Sequence, residues 1–276
     1  MTTDFLTRLL EAYWFAPPVA LWRAIELRVV AEETFERPIL DVGCGDGLIA
    51  DVLFDEEAPI EVGFDPWLDQ LRQARNSGAY RHVDLAAGHR LPYPDAAFAT
   101  AFSNSVLEHI PDVAPVVAEV GRVLRPGGRF IFTVPSDAFR ELLEGYASAM
   151  EAGDPAAAEA YAEGIDRWLD HFHYHSPDEW RELLAGGDMT LVKARYYVPR
   201  PVEQVWDRLN RRYGVNRARS AWGLLVSPRL RALGYQPLLQ KLVVRHLSRR
   251  WRDYYTMTVP PGERGGGLLI VAERNR

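Results

Sequence analysis

The chain has a single cysteine, Cys44, in 276 residues, so an intramolecular disulfide is excluded. No apolar run approaches the roughly 18 residues that a membrane-spanning helix requires. The opening stretch MTTDFLTRLLEAYWF carries Asp4 and Glu11 and lacks a basic start followed by an apolar core, so it does not read as a secretory signal, and a cytoplasmic protein is expected. Internal repeats and low-complexity tracts are missing too. What is there is ordinary for a globular chain: 47% hydrophobic and 25% charged residues, enough for one large α/β domain with an inserted subdomain.

Charge is unevenly spread. Residues 200–252 carry thirteen Lys and Arg against two acids, Glu203 and Asp207, a local charge of +11. The first 199 residues carry −17, within a total of −6. Three readings of the basic segment follow. It binds an anionic or lipid-linked molecule. Or its stretch LLQKLVVRHLSRRWRDYY lies on an acidic membrane surface, with apolar and basic positions on two faces. Or it pairs with the acidic body or another subunit. Nucleic acid is disfavoured, because no binding module is recognisable and the acidic body would repel a phosphate backbone.

The densest local signal is Ile39-Leu40-Asp41-Val42-Gly43-Cys44-Gly45-Asp46-Gly47. An apolar run supplies a buried strand, and three alternate glycines allow a sharp turn and bare backbone against a ligand. The following LIADVLF reads as a helix whose N-terminus faces that ligand. The spacing G-x-G-x-G differs from the G-x-G-x-x-G of nicotinamide-binding turns. No basic residue sits in the turn to hold a pyrophosphate, whereas Asp41 and Asp46 suit an amino group. A second run, IEVGFD, ends in Asp65, placed to accept hydrogen bonds from ribose hydroxyls. These features fit S-adenosylmethionine (SAM), which carries an amino acid and a sulfonium but no phosphate.

With these motifs the chain resembles the class I SAM-dependent methyltransferases, in their small-molecule, type 11-like branch. The resemblance covers roughly residues 35–199 and 266–275. ILDVGCGDG looks like the family's first motif and VGFDP like its second. HVDLAAGHRLPYPDAAFATAFSNSVLEHI looks like the adenine-contacting segment and fourth strand, and RVLRPGGRFIFTVP like the fifth. The link between Asp84 and Leu91-Pro92-Tyr93 is longer than the family's usual one. The resemblance implies an α/β fold: a Rossmann-like, doubly wound, seven-stranded sheet with strand seven antiparallel and helical insertions at its carboxyl edge. Asp41, Gly43, Cys44, Gly45 and Gly47 would hold the methionine end and Asp65 the ribose. Pro66 and Trp67 would line the adenine, with Asp84 and Leu85 at its edge. Asn104 would face the methionine and methyl group. Cys44 itself reads as a small filler.

Strands are expected at 38–43, 60–65, 80–84, 98–104, 129–135, 189–198 and 266–274. Helices are expected at 47–55, 67–77, 114–125 and from Ser176-Pro177, a cap followed by a first-turn proline, to the glycines at 186 and 187. Residues 1–34 read as a helical cover, 137–175 as a helical lid insertion, and 200–258 as a basic helical insertion between strands six and seven. The core is then 35–199 plus 259–276. Both insertions leave carboxyl ends of strands, the side on which ligands bind, and could roof a substrate pocket.

Methyl transfer needs positioning above all, plus removal of a proton from an oxygen or nitrogen nucleophile. Three histidines, His109, His173 and His175, are the candidate bases, since imidazole titrates near neutrality. Tyr174 is a further pocket candidate. His171, His173 and His175 alternate on one face of an extended chain. They lack an Asp, Glu or Cys partner at metal spacing, so no metal is expected. The resulting expectation is SAM-dependent methylation of a small-molecule, lipid- or saccharide-type acceptor, with an O–H nucleophile favoured and S-adenosylhomocysteine as the product. An RNA methyltransferase and a non-catalytic SAM-binding protein are the alternatives.

Overall fold

The computed structural model describes residues 4–54, 58–213 and 221–276. Arg217 and Arg219 of the basic segment lie outside the described residues. The chain divides into two compact units.

One unit comprises residues 31–137, 166–196 and 267–276. It carries a seven-stranded sheet of β1 (Ile39–Val42), β2 (Ile60–Asp65), β3 (Tyr80–Leu85), β4 (Phe98–Asn104), β5 (Leu124–Pro135), β6 (Met189–Tyr197) and β7 (Gly267–Arg274), in the order β3-β2-β1-β4-β5-β7-β6. Strands β3, β2, β1, β4 and β5 run parallel, and β7 is antiparallel to β5. The Rossmann-like fold expected from the resemblance is the one observed. The central strands β1 and β4 are buried at every position, as parallel strands covered on both faces must be. From β1 the chain winds outward to β2 and β3, then returns to β4 on the other side of β1. That reversal opens a crevice at the carboxyl ends of β1 and β4.

The core of this unit packs Phe130, Phe132, Val117, Val120, Leu184 and Trp180, with Trp180 edge-on to Phe132 at 4.8 Å. The helix Pro177–Gly186 begins as the sequence indicates. The Ser176 hydroxyl accepts from the Glu179 amide, and the Glu179 carboxylate accepts from the Ser176 amide. Its end meets the helix Ala114–Val123 so closely that a Cβ on Gly121 would sit 2.0 Å from the Gly187 carbonyl oxygen.

The other unit is helical and comprises the residues up to Val30, 138–165 and 197–266. The three segments read separately from the sequence thus share one compact body. Its centre is aromatic: Trp22 lies 5.3 Å from Trp206, 5.8 Å from Phe139 and 6.4 Å from Tyr197. Buried Glu26 accepts from Tyr197 Oη at 2.7 Å and pairs with Arg23. Part of the basic charge meets acids here, Arg208 and Arg211 on Glu144 and Arg252 on Asp4.

Three local expectations differ from the structure. The stretch LLQKLVVRHLSRRWRDYY, free of Gly and Pro and so expected to be continuous, belongs to two helices, Gln236–Arg250 and Arg252–Thr256, broken at Trp251. The stretch from Phe139 is likewise two helices, divided at Leu143. On Gln236–Arg250 the apolar and basic positions do not separate: Leu238 and Leu242 share the exposed face with Lys241, Arg245 and Arg249. Among the described residues no helix is long and apolar enough to cross a membrane.

Candidate functional site

The glycine turn takes the shape its composition allows. Gly43, Gly45 and Gly47 have φ of +77°, +54° and +84°, a region that disfavours side chains. The amides of Gly43 and Cys44 donate to the Phe64 carbonyl, fastening the turn to β2. Asp46 Oδ1 accepts from the Leu48 amide at the start of the helix Leu48–Leu53. Asp65 closes the turn from the neighbouring strand: Oδ2 accepts from the Gly45 amide at 3.0 Å and Oδ1 from the Trp67 amide at 2.8 Å. Each carboxylate oxygen retains a second lone pair.

Asp41 is 4% exposed, and its Oδ2 accepts from Tyr80 Oη at 2.7 Å. Burial, opposed by that hydrogen bond and reinforced by the nearby Asp65 carboxylate, pushes its carboxyl up to about 7. The Tyr80 ring reaches Asp41 through space left by two glycines. A Cβ on Gly63 would lie 2.7 Å from the ring, and one on Gly47 3.1 Å from it. Sequence reasoning missed Tyr80, because a tyrosine at the start of a strand carries no signal of what lies across the sheet. Cys44 is buried, and burial together with the surrounding carboxylates pushes its thiol well above the ordinary range, so it stays a neutral filler.

On the adenine side, Trp67 is 70% and Leu85 60% exposed, large apolar surfaces beside the ends of β2 and β3. Pro66 precedes Trp67 at the same end, and Asp84 accepts from Tyr93 Oη at 3.0 Å. Asn104 closes β4. Its Nδ2 donates to Thr133 Oγ1 at 2.6 Å, while its buried Oδ1 has no hydrogen-bond partner among the described residues. Ser105, next in the chain, is held at φ +49°, a strained conformation for a residue with a side chain.

The residues present fit SAM. A buried, partly protonated carboxyl calls for a cation, an orphaned amide oxygen for an N–H donor, and two exposed apolar side chains for an aromatic base.

The histidines fall into two groups. His109 ends a short 3₁₀ turn, Leu107–His109, and its Nδ1 lies 3.1 Å from the Asp170 carbonyl. His171 Nδ1 lies 3.0 Å from Tyr174 Oη, which donates to Asp166 at 2.6 Å. His173 instead contacts the Ile110 carbonyl at 3.1 Å and stacks on His175 at 4.3 Å, with both rings against Trp180. Burial pushes both His173 and His175 below the ordinary imidazole range, so both are neutral at pH 7.

Comparison with known proteins agrees with this geometry. Residues 40–132 match the family described as a methyltransferase domain. A probable S-adenosylmethionine-dependent methyltransferase of Mycolicibacterium smegmatis is 34% identical over 128 residues, 46% of this chain and 47% of that protein. A malonyl-[acyl-carrier protein] O-methyltransferase of Pseudescherichia vulneris is 33% identical over 134 residues, 47% of this chain and 53% of that one. The chain thus matches about half the length of these relatives. A Thermotoga maritima SAM-dependent methyltransferase, described as a possible histamine N-methyltransferase, superposes with a TM-score of 0.55 over 97% of this chain and 94% of its own, at 14% identity. At that identity the likeness shows the fold. Residues 40–132 are thus similar to the methyltransferase-domain family, and the sheet has the fold of the SAM-dependent methyltransferases.

Proposed function

We propose that this chain transfers the methyl group of SAM to a hydroxyl oxygen of a small molecule that combines an apolar body with an anionic group. The observation carrying the reading is the conjunction of the buried Asp41 carboxyl, the left-handed Gly43–Gly47 turn, Asp65 and the orphaned Asn104 oxygen on one sheet edge. In it Asp41 and the Asn104 oxygen take the cofactor's amino group, the turn its carboxylate end, Asp65 the ribose, and Pro66, Trp67, Asp84 and Leu85 the adenine. When bound, SAM supplies an electrophilic methyl on a positively charged sulfur. The protein's part is to position the acceptor and to take the hydroxyl proton.

For that proton His109 is the preferred candidate of the three. A carbonyl can only accept, so the Asp170 oxygen fixes the proton of a neutral His109 on Nδ1 and leaves the lone pair on Nε2. His173 and His175 serve better as a neutral stacked frame for the loop. The acceptor's anionic character is drawn from the basic charge of residues 200–252, +11 over that stretch. The helical unit taken by itself has a cavity of about 620 Å³ lined by Leu209, Trp222, Leu242, Leu247 and Trp251 with Arg208 and Arg250, a mostly apolar wall with a few cations of the kind that takes an amphipathic anion. The O-methyltransferase among the relatives supports oxygen as the nucleophile.

Calorimetric titration with SAM, S-adenosylhomocysteine and NAD tests the cofactor half, followed by radiolabelled methyl transfer to acidic, amphipathic hydroxy compounds. Binding of the first two and not of NAD, with label appearing as a methyl ether, is expected. Binding of NAD in their place overturns the reading of the glycine turn. Cofactor binding with label only on nitrogen, or on no acceptor of this kind, overturns the choice of acceptor.

A further inference from the structure

The histidine pair left over by the cofactor site has a carboxylate beside it. Glu108, His109 and His171 present one donor atom each, all within 4.8 Å of one another, with Glu108 Oε1 4.0 Å from His109 Nε2. We propose that these three residues form a binding site for one divalent ion of the zinc class, holding it by two imidazole nitrogens and one carboxylate.

The strongest argument is the outward bonding of the two rings. The Asp170 carbonyl must accept from His109 Nδ1–H. The Tyr174 hydroxyl spends its proton on Asp166, so it must accept from His171 Nδ1–H. A ring that donates through Nδ1–H in this way carries its acceptor lone pair on Nε2. Metal-binding histidines are oriented in this way, with the far nitrogen donating to a carbonyl or to a carboxylate-backed group.

The frame is built from both sides. The Phe172 amide donates to the Glu108 carbonyl at 2.9 Å, and His173 contacts the Ile110 carbonyl at 3.1 Å, so the loop carrying His171 is laced to the turn carrying Glu108 and His109. Asp170, between the two histidines in this lacing, is held at φ +56°, a strained conformation at the point where the carbonyl is aimed. The rings of His109 and His171 are 5.2 Å apart and tilted by 55°, so they are not packed as a flat stack.

The donor set selects the ion. Two nitrogens and one carboxylate suit zinc, cobalt, nickel, iron(II) or manganese, whereas calcium and magnesium prefer oxygen alone. Bond lengths of about 2.0–2.2 Å require the donors to close by roughly an ångström from their present spread, within the reach of side-chain rotation. Three protein ligands leave positions open, as in sites where a metal meets water or a substrate oxygen. The site uses the His109 Nε2 that the methyl-transfer reading gives to proton removal, so with an ion bound His109 would be its ligand and not the base, while the cofactor half of that reading is independent of the ion.

The test uses the whole chain after chelator treatment and dialysis, titrated with Co²⁺ by visible absorption and with Zn²⁺ by calorimetry. One equivalent is expected to bind at micromolar or tighter affinity, with cobalt bands of a low-coordinate site. Glu108→Gln and His171→Ala are each expected to weaken binding 10- to 100-fold or more, while S-adenosylhomocysteine affinity, measured in parallel, reports that the variants are folded. Affinity should fall with falling pH, because protons compete with the metal for the ligand atoms. Should His171→Ala fail to fold, His171→Gln with Glu108→Gln carries the same comparison. No stoichiometric binding below about 100 μM, undiminished binding in the folded variants, or loss of binding in His173→Ala and His175→Ala instead would overturn the proposal. Failure of the metal with cofactor binding intact leaves the methyl-transfer reading standing.

Discussion

Asp41 offers the sharpest quantitative test. Its carboxyl sits near 7 because burial and the Asp65 carboxylate outweigh the Tyr80 hydrogen bond. A cationic amino group beside it requires the carboxylate form. In the free protein a group titrating at 7 is about 76% ionised at pH 7.5 and about 9% at pH 6, by the ordinary titration relation. Cofactor affinity should therefore approach its full value well above pH 7 and be lost as pH falls through 7. The loss is about eightfold between pH 7.5 and 6, or roughly 1.2 kcal/mol. The same linkage demands that binding at pH 6 release about 0.9 proton. Calorimetry with S-adenosylhomocysteine in two buffers of different ionisation enthalpy measures both quantities. Asp41→Asn should abolish the pH dependence and the proton release, and should weaken binding at pH 7.5. Flat affinity over this range with a buffer-independent enthalpy would refute the assignment of Asp41 to the amino group.

Other outcomes follow from the same contacts. Tyr80→Phe removes the hydrogen bond that, among the described residues, holds Asp41 toward its ionised form, so the midpoint of the affinity–pH curve should move above 7 and binding at pH 7 should weaken by about 1–3 kcal/mol; an unmoved midpoint counts against this network. Asp65→Ala strips two backbone amides of their partner and should lower both SAM affinity and the unfolding free energy from urea titration, by about 1–3 kcal/mol for each orphaned group; a loss of affinity with unchanged stability would show that the turn holds without it. Gly43→Ala places a Cβ 2.5 Å from Val106 at φ +77°. The expected loss is about 2–4 kcal/mol, with Val106→Ala restoring the steric part alone; full restoration would mean the backbone carries no strain.

Much of the sheet and its glycine turn was readable along the chain. Strand, turn and acid follow one another within 39–47 and 60–65, where neighbours in sequence are neighbours in space. All seven strands appear within a few residues of their expected positions, because the apolar runs of a parallel sheet are continuous and the turns are marked by Gly and Pro. The helical segments were read less well. Trp251 breaks a stretch without Gly or Pro, and Leu238 and Leu242 sit among cations on an exposed face. Periodicity reports a tendency to coil, not which face finds a partner.

The amino-acid sequence determined the α/β class, the winding of the sheet and the shape of the glycine turn, since each follows from local backbone freedom and burial pattern. The tertiary structure decided what lies across the sheet and across loops. It placed Tyr80 on Asp41 through the space of Gly47 and Gly63, 39 residues apart in the chain. It joined 138–165 to the N-terminal helices and to 197–266 in one body. And it brought the Glu108–His109 turn to His171, so the acidic partner that the histidine cluster lacks in sequence is supplied in space. Such pairings are set by how packed elements close on one another, and no local spacing encodes them.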